Sequence, residues 1–181
     1  MSTMQLIALS LVVVLTVGLV AVILFRRLRT GKLRGQYGGA EYAHAVKEGG
    51  DRRHGETELG ERAARVESFN IQPLALSDRQ RFEDSWGRIQ ARFVDGPGGA
   101  VAEADQLLRD VMSTRGYPVN EFEQRAADIS VDHPSLVKNY REAHETALRQ
   151  EKGLANTEDL RQAMIHYRTL FGELVSEQSA A

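Results

Sequence analysis

The chain of 181 residues has no cysteine. That excludes a disulfide scaffold, a thiolate zinc site, an iron–sulfur cluster, a cysteine nucleophile and a lipid-modified cysteine anchor. It also lacks an excess of positive charge: 23 Lys and Arg against 25 Asp and Glu give a formal net charge of -2 and a pI near 6.2. A strongly basic nucleic-acid binder is therefore not the default. Nineteen of the 23 cations are Arg, which a GC-rich coding bias explains as well as phosphate binding does. From Leu76 onward no stretch alternates with period two over the length of a strand, so a β-sheet has little to build on. No H-E-x-x-H, G-x-S-x-G, Walker A, EF-hand or dinucleotide signature occurs, so neither a reaction nor a cofactor is inferred.

What the chain does have is one long apolar run. Leu6 to Phe25 is twenty uncharged residues, fifteen of them Leu, Ile, Val or Phe. As a helix it would be about 30 Å long, the thickness of a bilayer's hydrocarbon core. Its side chains favour insertion by about 5 to 9 kcal/mol at most. The alternative is an exported protein with a cleaved signal peptide. Met1 to Gln5 carry no basic side chain, however, and the run exceeds the usual apolar core of such peptides. Arg26, Arg27, Arg29, Lys32 and Arg34 follow at once. The positive-inside rule then predicts a single-pass protein of the bacterial inner or plasma membrane. A short tail, residues 1–5, lies outside, and the remainder is cytoplasmic. The same five cations can rest on anionic headgroups.

After the basic juxtamembrane segment 26–34, the stretch 35–75 carries seven glycines among many charges and few large apolar side chains. The expectation is a flexible, disordered linker of about 35 Å root-mean-square reach, with room for a short helix from Leu59 to Phe69. His44 and His54 fall in it as solvated residues.

Residues 76–181 show helical periodicity. Ser77 with Gln80 is a capping-box pattern leading to Phe82, Trp86, Ile89 and Phe93 on one face. The run Asp95-Gly96-Pro97-Gly98-Gly99 breaks that helix; Val101, Ala104, Leu108 and Val111 mark a second, closed by Gly116. A short third helix starts near Asn120 and buries Phe122, Ala126 and Ile129. A fourth starts at Pro134 with Leu136, Tyr140, Ala143 and Ala147, ending at Gly153. A fifth, capped by Asn156 or Thr157, carries Leu160, Met164, Tyr167, Phe171 and Leu174. The expected fold is all-α: a transmembrane helix, a flexible linker and a C-terminal bundle of four to five helices. This body holds 18 carboxylates against 13 cations, so it would be repelled by an anionic leaflet and bind nucleic acid poorly.

Three constellations merit a chemical reading. Asp128, Asp132 and His133, in Asp128-Ile129-Ser130-Val131-Asp132-His133-Pro134, could bind a divalent cation or orient a base, with His144 or His166 nearby. The plainer reading has Asp132 capping the next helix and Asp128 solvated. His133, His144 and His166 lack metal-ligand spacing and suit margins of the core stripes. Gly96 to Gly99 ahead of a helix resembles an anion cradle, but Asp95, Glu103 and Asp105 oppose an anion.

The strings Ile89-Gln90-Ala91-Arg92-Phe93-Val94-Asp95 (IQARFVD), Arg115-Gly116-Tyr117-Pro118 (RGYP) and Asp128 to Pro134 (DISVDHP) resemble a group of uncharacterised bacterial proteins. That group carries labels such as hypothetical, membrane or secreted. The resemblance spans roughly 79–174. It implies a bacterial origin and a membrane-tethered helical domain, and it carries over no activity, substrate or cofactor. The function expected is a membrane-anchored helical interaction or scaffold module. Its partners would be the bilayer and a protein at the membrane surface, in an oligomeric state the sequence leaves open. The alternative is a metal-binding or hydrolytic domain using the Asp128, Asp132 and His133 loop.

Overall fold

A computed structural model describes residues 30–176, together with the isolated position Val17. Apart from Val17, the apolar run lies outside the described residues, as do Arg26, Arg27 and Arg29. No helix among the described residues is long and apolar enough to cross a membrane. Those residues form seven helices: α1 over 30–48, α2 Arg52–Glu67, α3 Leu76–Arg92, α4 Pro97–Arg115, α5 Phe122–Asp132, α6 Pro134–Glu151 and α7 Thr157–Ser176.

Helices α3 to α7 build the bundle expected from periodicity. α7 lies against both α4 and α6, α3 covers α4, and α5 packs on α6. Their apolar faces close one core around Phe82, Trp86, Val101, Leu108, Val111, Ile129, Tyr140, Tyr167 and Leu174. Trp86 stacks on Phe171 with ring centroids 4.9 Å apart, which ties α3 to α7. Several end signals act as their chemistry requires. Pro97 and Pro134 open helices, where a missing N–H costs nothing. Asn156 Oδ1 accepts from the Asp159 backbone N–H while Asp159 Oδ2 accepts from that of Asn156, a reciprocal cap. Gly116 ends α4 at φ 100, and its Cα faces the Asn70 carbonyl so closely that a Cβ would collide with it. Buried Arg115 then donates to the carbonyl oxygens of Gln72 and Leu174, fastening the α2–α3 connector and the end of α7.

Two starts differ from expectation. Helix α3 begins at Leu76 behind Ala75, without a side-chain cap from Ser77; α5 begins at Phe122 rather than near Asn120.

The larger difference is the expected linker. Residues 35–75 contribute most of two helices and, together with Leu33, a second core of Tyr37, Tyr42, Ala45 and Leu59, with Val46 and Val131 packed against it. Several glycines act here as geometry rather than slack. Gly38 takes φ 67 and bends α1. The first part of α1 doubles back until the Thr30 hydroxyl donates to Glu56 Oε1 at 2.7 Å and Arg52 donates to Thr30 at 2.8 Å. Gly49 and Gly55 let the α1 and α2 backbones meet: a Cβ on Gly55 would lie 2.7 Å from Val46 Cα. Asp51 caps α2 through the His54 N–H. The helix expected over Leu59 to Phe69 exists, but it starts seven residues earlier at Arg52.

Candidate functional site

Between the α1–α2 hairpin and helices α5 and α6 runs a cleft of about 600 Å³. Its walls are charged: Glu48, Glu58, Glu61, Arg62, Glu123 and Arg141 project from them, with His44 at one side. Beneath it Glu41, only 2% exposed, joins three helices. Arg62 Nη1 donates to Glu41 Oε1 at 2.7 Å, and Arg141 donates to both Glu41 oxygens at 2.6 and 3.2 Å. Arg62 also reaches Glu58 at 2.5 Å. One buried carboxylate thus satisfies two guanidiniums, the condition under which charge is tolerated away from water. No local pattern announces this set, since Glu41 and Arg141 are 100 residues apart. Lys32 and Arg34, the orienting cations within the described residues, are exposed on α1, with Arg34 over the Tyr42 ring.

The Asp128, Asp132 and His133 loop is a structural crossroads. Asp128 is 1% exposed rather than solvated; its Oδ1 accepts from Arg65 at 2.9 Å and from Gln124 at 2.9 Å. Asp132 does not cap α6. It is the last residue of α5, and its Oδ2 accepts from the Tyr117 hydroxyl at 2.6 Å. His133, buried, holds the N-cap position of α6 without a side-chain cap bond. The two carboxylates therefore serve different partners. No group of three or more His, Asp or Glu side chains suited to a metal ion occurs among the described residues.

A second polar cluster lies inside the main core. Asp105 accepts from the Tyr167 hydroxyl at 3.1 Å, with Arg109 at 3.3 Å and His144 Nδ1 at 3.6 Å. Burial pushes the Asp105 carboxyl up, but His144, Arg109 and Arg125 outweigh it and hold the group below the usual carboxylate range. Arg125 donates to the Tyr140 hydroxyl at 2.8 Å. Burial pushes that phenol up to about 12 and raises Tyr167 further, so both stay neutral donors or acceptors. His144 stacks on Phe122 at 3.6 Å, and His166 approaches Glu142 at 3.6 Å. The sequence did hold a signal for this cluster. Tyr140 and Tyr167 sit in apolar stripes, where a buried hydroxyl demands a partner, and Asp105 borders the stripe of α4.

No family model, curated protein or solved structure matches the chain.

Proposed function

We propose that the chain is a single-pass protein of a bacterial inner or plasma membrane, its N-terminus outside, presenting a helical interaction module on the cytoplasmic face. The observation that carries this reading is how soon the chain enters the domain. Thr30, five residues beyond Phe25, is already bonded to Arg52 and Glu56. Five residues span at most about 18 Å, so an anchored apolar run would hold the α1–α2 corner beside the headgroups. A partner confined to the same surface then meets the module at raised effective concentration. The charged cleft, with Glu48 and Glu61 exposed on its walls, gives such a partner a specific polar surface.

The test joins topology with contact. Alkaline phosphatase fused to the C-terminus should be inactive, and the protein should resist carbonate extraction. An active fusion or a released chain overturns the membrane reading. Proximity labelling from the C-terminus should then yield a set of neighbours that Glu48→Lys with Glu61→Lys depletes at unchanged membrane content. An unchanged set would remove the cleft as the contact surface.

A further inference from the structure

We propose that the α1–α2 hairpin is a latch, closed on α5 and α6 by buried ion pairs and able to open as a unit about the end of α2 at Ser68, uncovering the α5–α6 face. This stands on the described residues alone and does not depend on the membrane reading.

Four observations converge on it. Among the described residues there are two separate apolar cores, and of the bundle only Val131 packs against the hairpin's own; α2 and α5 touch directly, with Val66 and Ala127 buried on them but in neither core. The named ties across the seam are ionic: Glu41 with Arg141, and Arg65 with Asp128 at 2.8 Å. The seam also encloses the charged cleft, so the two halves are not close-packed there. The hairpin, finally, is internally bonded. The Tyr37 hydroxyl donates to the Leu59 carbonyl at 2.7 Å, Tyr42 donates to Glu56 at 2.8 Å, and Arg62 holds Glu41 and Glu58.

The physics follows from the kind of contact. Parting two apolar faces exposes hydrocarbon to water, a loss without return. Parting a buried ion pair gives back the hydration that burial removed, so much of the lost attraction is recovered. Opening the seam is therefore far easier than dissolving the bundle, as a low-stability cooperative unit requires. The hinge is placed by packing and hydrogen bonds. Phe69 and Ile71 pack on the main core, the Asn70 carbonyl lies against Gly116 and the Gln72 N–H donates to the Arg115 carbonyl at 2.8 Å. The connector from Phe69 onward thus stays with the bundle, while α2 ends at Glu67 and leaves Ser68 to turn. Once open, the bundle would present Asp128, Arg141 and Val131, now covered or neutralised, and the hairpin would keep Glu41 with Arg62.

Thiol labelling of the full chain in detergent micelles tests this, because the chain has no native cysteine. Ala127→Cys, buried on the cleft side of α5, reports opening of the seam, and Ala104→Cys, in the main core, reports opening of the bundle. In the otherwise unaltered protein the thiol at 127 should react at least tenfold faster than that at 104. Asp128→Asn removes a charge that pairs only across the seam, with Arg65. It should speed labelling at 127 a further tenfold or more, leave 104 within twofold and leave the helix content unchanged by circular dichroism; Glu41→Gln should act in the same direction. Equal rates at the two positions in the otherwise unaltered protein overturn the latch, whatever the variants do. So does acceleration of both positions together by Asp128→Asn, or of neither.

Discussion

Asp105 is 6% exposed, yet its carboxyl is held below the ordinary carboxylate range by His144, Arg109 and Arg125. Losing that charge strands the cations around it. Breaking an enclosed pair costs about 3–5 kcal/mol; Arg109 reaches solvent, so Asp105→Asn should cost less, about 2 kcal/mol, in urea unfolding. The pH dependence has a definite sign. A carboxylate with a depressed folded pKa contributes stability that is complete above its unfolded value, about 3.9, and is lost as pH falls through the folded value. The unaltered protein should therefore lose stability below about pH 4, and Asp105→Asn should flatten that decline. Tyr140 and Tyr167 made this cluster partly legible, because a hydroxyl in a core stripe must be answered. The cleft was not legible at all: which arginine answers Glu41 is decided by how α1 and α6 pack, and Arg141 has many equivalents along the chain. Asp128 and Asp132 show the reverse error. Local spacing offered a cap and a solvated carboxylate, while tertiary contact supplied Arg65 and Tyr117 instead.

Helices α3 to α7 were legible because each carries a self-sufficient apolar stripe and strong stop signals at Gly116, Gly153 and the Asp95 to Gly99 run. The α1–α2 hairpin was legible only in the later part of α2, because its stability rests on few apolar side chains, close backbone approach and ion pairs, none of which has a periodic signature. Gly38, Gly49 and Gly55 look like slack only until their positions are known, whereas a Cβ on Gly35 or Gly39 would meet nothing within 4 Å. Gly55 and Gly87 separate the two roles. At Gly55 a Cβ would meet the Val46 Cα and the Ala45 carbonyl, whereas at Gly87 on α3 nothing lies within 4 Å. Gly55→Ala should thus destabilise the hairpin by about 1–3 kcal/mol through overpacking. Gly87→Ala should stabilise α3 by about 0.5–1 kcal/mol through lower unfolded-state entropy. Thermal unfolding followed by circular dichroism reads both, and equal signs for the pair would contradict the close approach. The turn at Gly116 belongs to the first role, since both its φ of 100 and the nearby Asn70 carbonyl exclude a side chain.

At the scale of the molecule, the hairpin changes what the apolar run can do. A flexible linker of 41 residues would let the bundle wander; the observed fold ties Thr30 to the α2 N-terminus and leaves only 26–29 between it and the run. If the run is anchored, the α1–α2 corner stays near the bilayer whether the seam is closed or open, and only the bundle swings. The absence of native cysteine makes this measurable, because a single introduced thiol carries a label without competition. A donor dye at exposed Arg53→Cys on the hairpin, or at exposed Arg88→Cys on α3, would transfer energy to acceptor lipids in a nanodisc. With the seam closed, both sites should give narrow distributions of donor lifetime. Adding Glu41→Gln should leave the Arg53→Cys distribution narrow and broaden that of Arg88→Cys, since the ion pair to Arg141 then no longer holds the bundle in place. Broadening at both positions would mean that the hairpin itself had come apart. Weak transfer from Arg53→Cys in the otherwise unaltered chain would mean that the run does not hold this corner at the membrane.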